Sequence, residues 1–268
     1  MVSFPPCKIN LGLQILFRQA DGYHAISTCF YPLPLTDALE ILPGTSFAFH
    51  SSGIPIPGSG EENLCVKAFH LMKEQYNLPP VQIHLHKIIP TGAGLGGGSS
   101  DAAHTLRLLN SVFELKLSQQ RLMELASQLG SDCPFFIQDD PMLGSNRGDR
   151  LSPIALHMKG YYLVLLTPDI HVSTQEAYAG ATAQQPKQTL PAILGKPVSM
   201  WRNELINDFE TTVFKKFPHI KTLKESLYRQ GAIYSGMSGS GSSVFGIFEK
   251  EVKLEGTLRN VLGWSGWL

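Results

Sequence analysis

Apolar and polar residues alternate along two stretches near the N-terminus, and this period of two predicts β-strands over residues 7–13 and 23–31. Asp21 and Gly22 lie between these stretches, and this dipeptide predicts a hairpin turn. A third strand is predicted over residues 81–89, because its apolar residues alternate with polar ones and a proline follows it. The first part of the chain is therefore expected to contain a sheet.

Apolar residues that recur every three to four positions predict helices in several other segments. The predicted helices cover residues 63–76, a segment that starts at Asp101, residues 118–129, a short segment near Asp132, a segment after Ser173, and residues 214–230. Unbroken apolar runs predict buried strands at residues 161–166 and 244–248. Segments rich in Gly, Pro, Ser or Gln predict loops at residues 53–60, 144–149, 184–197 and 235–243. The chain is thus expected to be mixed α and β.

The densest cluster of glycines follows the predicted strand 81–89 and precedes the helix expected at Asp101. Its residues are Gly92, Ala93, Gly94, Leu95, Gly96, Gly97, Gly98, Ser99 and Ser100. A strand, a glycine-rich turn and a helix N-terminus together bind phosphate well, because backbone N–H groups can approach the anion and the helix dipole favours it. This segment therefore predicts a phosphate site.

Two well-known phosphate-binding motifs do not explain this glycine cluster. A Walker A loop needs a Lys near its end, and the cluster contains none. The pattern G-x-G-x-x-G of a Rossmann fold is present, but it also needs an acidic residue at the end of a second strand. Glu114 has about the right spacing and ends a helical pattern instead. Both alternatives are set aside.

Lys8 and Asp132 are the candidates for acid–base chemistry. Lys8 lies in an apolar, strand-like segment, where a solvated surface position is the ordinary expectation. Asp132 precedes Cys133 and Pro134, which is also the position of an ordinary helix N-cap. The alternative is a carboxylate that accepts a hydroxyl proton beside an ammonium group. The two roles of Asp132 are compatible.

Aromatic and polar residues elsewhere could recognise a flat ligand. Tyr23 and His24 follow the predicted turn and are either a packed strand start or a ring and an imidazole that hold a base. Thr174 and Tyr178 are four residues apart on a predicted helix, so they share a face. A second Gly/Ser loop, residues 238–242, is another place where a backbone could approach an anion.

His84 and His86 could form a metal pair, but an exposed strand face is the favoured interpretation, because further His or Cys partners are not evident. Cys133 is expected to be a small buried hydrophobic residue. With Cys7, Cys29 and Cys65 it shows neither zinc-finger nor Cys-x-x-Cys spacing, so a reduced, cytoplasmic protein is expected.

Composition and charge exclude several classes of protein. The 268 residues contain 22 Lys and Arg and 22 Asp and Glu, so the net charge is zero. That balance argues against a nucleic-acid or anionic-membrane partner. The content of 43% hydrophobic and 16% charged residues argues against disorder. Neither a signal peptide nor a membrane span is expected, since the apolar run 161–166 is too short to cross a bilayer.

Together these motifs resemble the GHMP kinase superfamily, which includes galactokinase, homoserine kinase, mevalonate kinase and phosphomevalonate kinase. Residues 90–100 resemble its ATP-phosphate motif, and residues 238–243 resemble its C-terminal glycine-rich motif. The resemblance covers nearly the whole chain, including residues 8–11, 21–24, 62–64, 130–136, 173–174, 207–210 and 237–241. The run 21–24 is similar to that of members acting on a cytidyl diphosphate substrate in the non-mevalonate isoprenoid pathway.

The resemblance implies an α+β, two-domain fold. Residues 1–150 are expected to form an ATP-binding domain of the ribosomal-protein-S5-domain-2 type, and residues 151–268 a ferredoxin-like domain, with the active site in the cleft between them. Monomer or weak homodimer is the expected assembly. The family usually has Glu at the position of Asp149. This difference does not affect the residues expected to carry the reaction.

The resemblance also implies the activity: ATP-dependent phosphorylation of the tertiary 2-hydroxyl of a methylerythritol unit linked to cytidine diphosphate. Asp132 is then the general base, and Lys8 orients it and offsets charge on the phosphoryl group. Pro90 and the glycine cluster bind the ATP phosphates, and Asn63, which could instead be an ordinary helix cap, contacts the adenine. Mg²⁺ is expected with ATP, without an evident protein ligand for it.

The substrate side of the site is implied in the same way. Tyr23 and Tyr178 are expected to stack on both faces of the cytosine, and His24 to hydrogen-bond to its edge. Asn10 helps to hold the substrate, and Thr174 contacts it near the reacting hydroxyl. Two other hypotheses remain open: a GHMP kinase for mevalonate, homoserine or a sugar, and a non-catalytic GHMP-fold protein that senses ATP.

Overall fold

The computed structural model describes residues 1–20, 22–58 and 60–268, which divide into two compact units. The first unit contains residues 1–8, 32–91 and 96–140, and the second contains residues 9–31, 92–95 and 141–268. Asp21 of the expected hairpin turn and Ser59 of the expected loop 53–60 lie outside the described residues. The domain boundary at residue 150 stays a prediction.

The strands cover much of both units. They are β1 (Val2–Ser3), β2 (Pro6–Arg18), β3 (His24–Thr36), β4 (Ala38–Pro43), β5 (Ala48–Gly53), β6 (Val81–Lys87), β7 (Met142–Ser145), β8 (Arg150–Pro153), β9 (Tyr162–Leu166), β10 (Tyr234–Met237), β11 (Val244–Phe248) and β12 (Leu262–Trp267). The predicted strands 7–13, 23–31, 81–89, 161–166 and 244–248 correspond to β2, β3, β6, β9 and β11 and are confirmed.

The α-helices are α1 (Leu64–Tyr76), α2 (Gly97–Val112), α3 (Gln119–Leu129), α4 (Thr174–Tyr178), α5 (Leu190–Leu194), α6 (Phe209–Lys216) and α7 (Pro218–Arg229). Short 3₁₀ helices cover Gly60–Glu62, Cys133–Ile137, Val198–Asn203 and Gly256–Val261. The predicted helices 63–76 and 118–129 are confirmed, and each has the cap expected from its sequence. Asn63 accepts a hydrogen bond from the N–H of Cys65, and Ser118 accepts one from that of Arg121.

The first unit is built on the sheet β1-β4-β6-β5. β4 pairs antiparallel with β6, and β5 pairs with β6 in parallel. Val81, Ile83 and Leu85 of β6 are buried, while Gln82 and His86 are exposed, as the alternating pattern predicts. Helix α2 packs against α1, α3 and β4. Helix α2 therefore shares a core with this sheet.

Helix α2 begins earlier than the sequence predicts. We expected it at Asp101, after a Ser-Ser-Asp cap, but it starts at Gly97 and Gly96 is its N-cap residue. Glycine is a poor helix former, so the glycine-rich sequence of the first turn does not predict a helix. A Cβ atom on Gly97 would lie 2.8 Å from Cγ2 of Ile89, so only glycine allows this turn to pack so closely on the preceding segment.

The second unit contains an antiparallel sheet with the order β10-β11-β9-β12. Helices α6 and α7 lie between β9 and β10 in sequence, and α7 packs on β10 and β11. This is the β-α-β-β-α-β order of a ferredoxin-like domain, with the last helix reduced to the 3₁₀ turn Gly256–Val261. The expected ferredoxin-like fold is confirmed.

Three local predictions in this unit are wrong. The single helix 214–230 is two helices, because Pro218 cannot continue α6 and instead starts α7. The predicted loop 184–197 contains the short helix α5, and Tyr234–Met237, at the start of the predicted loop 235–243, is a strand.

The predicted loop 144–149 is mostly a hairpin turn, since Ser145 of β7 pairs with Arg150 of β8.

Candidate active site

The side chain of Lys8 is only 4% exposed, although it carries a charge. It lies on β2 between the buried residues Cys7 and Ile9, so the solvated position that is the ordinary expectation for a lysine does not apply. Lysine is rarely buried without a partner. The Nζ atom of Lys8 lies 3.5 Å from Oδ2 of Asp132.

Asp132 occupies the N-cap position of the 3₁₀ helix Cys133–Ile137, but its side chain makes no capping hydrogen bond within the described part of the chain. The interpretation of Asp132 as an ordinary cap is therefore wrong. Its carboxylate is turned towards Lys8 and is 33% exposed. An exposed carboxylate beside a buried ammonium group can receive a proton from a bound ligand.

Gly96 places this pair next to the glycine cluster. A Cβ atom on Gly96 would lie 3.2 Å from Cε of Lys8 and 2.9 Å from Cζ of Phe136, and its backbone has a left-handed φ of 69°. Glycine thus lets the start of α2 approach the lysine. The free N–H groups of the first turn, the helix dipole and the ammonium group then favour an anion at the same place.

The rest of the cluster in the first unit forms the first turn of α2. Gly97, Gly98, Ser99 and Ser100 lie there, and the Oγ atom of buried Ser100 has no hydrogen-bond partner among the described residues. Ser99 hydrogen-bonds to the thiol of Cys133. Burial raises the pKa of this thiol to about 12, so Cys133 is a neutral, buried residue as expected.

Gly92, Ala93, Gly94 and Leu95 belong to the second unit, where the second Gly/Ser loop holds them. The hydroxyl of Ser238 donates a hydrogen bond to the carbonyl of Gly94 at 2.8 Å. The N–H of Ser243 donates one to the carbonyl of Ala93 at 3.2 Å. A Cβ atom on Gly94 would meet the carbonyl oxygen of Ser238 at 2.1 Å. Residues 92–95 and the second Gly/Ser loop therefore pack together within the second unit.

Asn10 is buried against the same loop. Its N–H donates to Oγ of Ser238 at 3.1 Å, and its side-chain amide donates to Thr28 at 2.8 Å. Asn207 supports the loop from another direction, donating to the carbonyls of Met237 and Gly239. Sequence reasoning gave no role to Thr28 or Asn207; the run 207–210 was a signal for Asn207, because it matched the family pattern.

The aromatic residues expected to hold a base lie in the second unit. His24 stacks on Tyr178 with ring centroids 5.1 Å apart and planes inclined by 13°. Tyr178 also packs against Phe209 with the ring planes inclined by 83°, and Thr174 is exposed at the start of α4. The structure thus brings His24 and Tyr178 together.

Tyr23 is 58% exposed, and the guanidinium of Arg147 lies 3.8 Å from its ring centroid. Arg147 belongs to the turn between β7 and β8. The carbonyl of Asn146 in this turn accepts the N–H of Ile26, and its side chain accepts a bond from Gln19. These bonds fix the turn beside Tyr23. Asp149 accepts bonds from Asn146 and Arg147 and has a pKa below its usual range, since these bonds outweigh the effect of burial.

The rings of His84 and His86 contact neighbouring side chains of the first unit. The ring of His84 stacks on that of His50 at 5.0 Å, and Nδ1 of His86 hydrogen-bonds to Ser52. Over residues 1–20, 22–58 and 60–268, no group of three or more His, Cys, Asp or Glu side chains is arranged to hold a metal ion. In the same ranges no helix is long and apolar enough to cross a membrane.

Comparison with known families agrees with this geometry. The family model "GHMP kinases N terminal domain" matches residues 63–139, and "GHMP kinases C terminal" matches residues 190–261. The chain belongs to the GHMP kinases, as the glycine cluster and the second Gly/Ser loop predict.

Several proteins similar to this chain carry the same name. The 4-diphosphocytidyl-2-C-methyl-D-erythritol kinase of Cytophaga hutchinsonii is 54% identical over 249 residues, which cover 92% of both chains. The protein of the same name from Bacteroides fragilis is 50% identical and covers 95% of this chain and 94% of its own. A crystal structure of 4-(cytidine 5'-diphospho)-2C-methyl-D-erythritol kinase has a TM-score of 0.79 and 34% identity, covering 92% of this chain and 90% of that one.

Proposed function

We propose that the protein transfers the γ-phosphoryl group of ATP to the 2-hydroxyl of 4-diphosphocytidyl-2-C-methyl-D-erythritol. The names and the identities of its relatives support this substrate. The structural observation that carries the chemistry is the pair Lys8 and Asp132, 3.5 Å apart beside the N-terminus of α2.

In this reaction the carboxylate of Asp132 accepts the proton of the 2-hydroxyl. The hydroxyl oxygen forms a bond to the γ-phosphorus, the bond from that phosphorus to the β,γ-bridging oxygen breaks, and ADP leaves. Lys8 orients Asp132 and offsets negative charge on the moving phosphoryl group. Phosphoryl transfer depends mainly on positioning and electrostatic stabilisation, which a buried ammonium group and directed N–H groups supply.

ATP enters as its magnesium complex, because Mg²⁺ is usually held through substrate phosphates with few protein ligands. Its phosphates lie against Pro90 and the cluster from Gly92 to Ser100, where the backbone can approach closely. Asn63 is proposed to contact the adenine side. Its side-chain oxygen already caps α1, so this contact would use its amide group.

The cytosine is recognised by Tyr23, His24 and Tyr178, and the remainder of the substrate by Asn10 and Thr174. Stacking of a base on an aromatic ring contributes roughly 1–3 kcal/mol, by analogy with single-stranded nucleic acids. The rings of His24 and Tyr178 stack on each other and together offer an aromatic surface to such a ligand. We place the enzyme in the cytoplasm, since Cys7, Cys29, Cys65 and Cys133 are free and buried, as a monomer or weak homodimer.

A coupled assay of ADP release tests this function. Turnover with 4-diphosphocytidyl-2-C-methyl-D-erythritol, and none with mevalonate or homoserine, is expected. Turnover with mevalonate or homoserine alone would make the protein a different GHMP kinase. ATP binding without turnover on any of the three would favour the non-catalytic sensor.

A further inference from the structure

Three charged side chains are buried together at the end of β6. Lys87 is the last residue of this strand, and its side chain is 1% exposed. Its ammonium group donates to Asp37, which precedes β4, and to Asp101 of α2, the latter bond being 2.8 Å long. Asp37 and Asp101 are 0% and 3% exposed. The proposed chemistry uses none of these contacts.

The buried trio, as we call Asp37, Lys87 and Asp101, joins the two ends of the glycine-rich segment. On the strand side, Oδ1 of Asp37 accepts the N–H groups of Ile88 and Ile89 at 2.5 and 2.8 Å. On the helix side, Asp101 lies in the second turn of α2. The ammonium group of Lys87 is bonded to both carboxylates, so it connects the segment before the cluster with the helix after it.

The trio also touches the first turn of α2 directly. A Cβ atom on Gly97 would lie 3.0 Å from Nζ of Lys87. The lysine therefore lies immediately behind the N–H groups that face the proposed phosphate site. At 1% exposure its ammonium group is too deep to bind a nucleotide itself.

The charges of the trio do not balance when both carboxylates are ionised. Oδ1 of Asp101 has no hydrogen-bond partner among the described residues. Burial raises the pKa of Asp101 to about 7; Lys87 opposes this and Asp37 adds to it. Burial alone would lower the pKa of Lys87, but the two carboxylates outweigh it and raise that pKa.

Two thiols lie near the trio. The buried thiol of Cys65 on α1 has a raised pKa, and that of Cys7 on β2 is raised to about 12, in both cases chiefly through burial. Both thiols are therefore neutral neighbours of the three charged groups.

We propose that Lys87 is a positioning residue for ATP: by binding Asp37 and Asp101 together, it fixes the first turn of α2 against the end of β6 and keeps its N–H groups directed at the phosphates. The proposal takes ATP as ligand from the proposed function. Without the ammonium group, no hydrogen-bonded cation would join Asp37, which holds the end of β6, to Asp101 on α2.

The test uses the double variant Lys87→Met with Asp101→Asn, in which the bulk of the trio remains and only Asp37 keeps a charge. We expect the Kd of a non-hydrolysable ATP analogue, measured by calorimetry, to rise at least tenfold, while the KM of the cytidyl substrate stays within twofold. Arg107→Met is the matched control, because it removes another cation of the first unit, the partner of Asp139. An unchanged Kd in the folded double variant, or an equal rise in the control, would overturn the proposal.

If the double variant does not fold, the single variant Asp101→Asn gives a second test. It keeps the shape of the side chain but leaves Lys87 without its charged partner on α2, so the Kd of the analogue should rise while the KM of the cytidyl substrate stays within twofold. An unchanged Kd in the folded single variant would contradict the proposal. A wild type that binds no ATP analogue would instead contradict the proposed function.

Discussion

Nζ of Lys8 lies 3.5 Å from Oδ2 of Asp132, with the ammonium group buried and the carboxylate one-third exposed. The two residues are far apart in sequence, and Gly96 brings the start of α2 to the same place by leaving room for Cε of Lys8. The unequal burial suits the two roles. The lysine is held in place, and the carboxylate can reach a ligand.

Replacement of Asp132 by Asn is expected to lower kcat by about 10²–10⁴-fold, the usual contribution of a general base. Binding of an ATP analogue should stay nearly unchanged, since the proposed phosphate contacts are backbone N–H groups of the glycine cluster rather than this carboxylate. Steady-state kinetics and calorimetry measure the two effects. Asp140→Asn, which changes an exposed carboxylate of the same unit, is the control.

Circular dichroism decides what a loss of activity in Asp132→Asn means. A folded, inactive variant supports catalysis by Asp132. An unfolded variant would instead indicate that Asp132 has a structural role at the start of the 3₁₀ helix.

Replacement of Gly96 by Ala is expected to lower the free energy of unfolding. The left-handed backbone alone costs an alanine about 1–2 kcal/mol, and its Cβ would also press on Lys8 and Phe136. Gly98→Ala is the matched control, because its Cβ would have only an ordinary contact, 3.8 Å from Leu64. Urea unfolding of both variants measures the difference; equal stabilities would show that Gly96 is not required there.

The local elements of this fold could be predicted wherever the sequence period was clear. Buried and more exposed residues alternate along β6, and the N-cap residues of α1 and α3 can be identified from their sequences. Strands β5 and β12 were missed, because their burial patterns show half-buried or exposed positions without apolar alternation. The start of α2 was placed too late, since glycine hides a helical turn whose stability comes from packing.

The site could be predicted only in part. Lys8 and Asp132 were found through a family resemblance, because neither residue has a local signal that distinguishes it from a surface lysine or a cap. Lys87 has none either: its burial depends on Asp37 and Asp101, and contacts over such sequence distances leave no periodic pattern. The hydrogen bond that Thr28 accepts from the side chain of Asn10 is likewise a contact without a periodic sequence pattern.

Replacement of Tyr23 by Ala is expected to raise the KM of the cytidyl substrate strongly, because a stacked ring contributes roughly 1–3 kcal/mol, and to leave the KM of ATP unchanged. Phe17→Ala is the matched control, since Phe17 is an aromatic residue of the same unit with 59% exposure against 58% for Tyr23. Initial rates at varied concentrations of each substrate give both constants. A similar rise in both KM values would count against stacking on Tyr23.

The raised pKa of Asp101 predicts how stability depends on pH. Between its usual value near 4 and about 7, the folded state binds a proton that the unfolded state has lost, so this group makes the free energy of unfolding fall as pH rises and then level off. Asp101→Asn should therefore gain stability relative to the wild type at pH 8 compared with pH 5. Asp149→Asn is the control of opposite sign: its pKa is lowered, so the stability that Asp149 contributes is already complete at pH 5 and is lost equally at both values. Urea unfolding at the two pH values tests this, and a constant difference between Asp101→Asn and the wild type would show that Asp101 is ionised throughout.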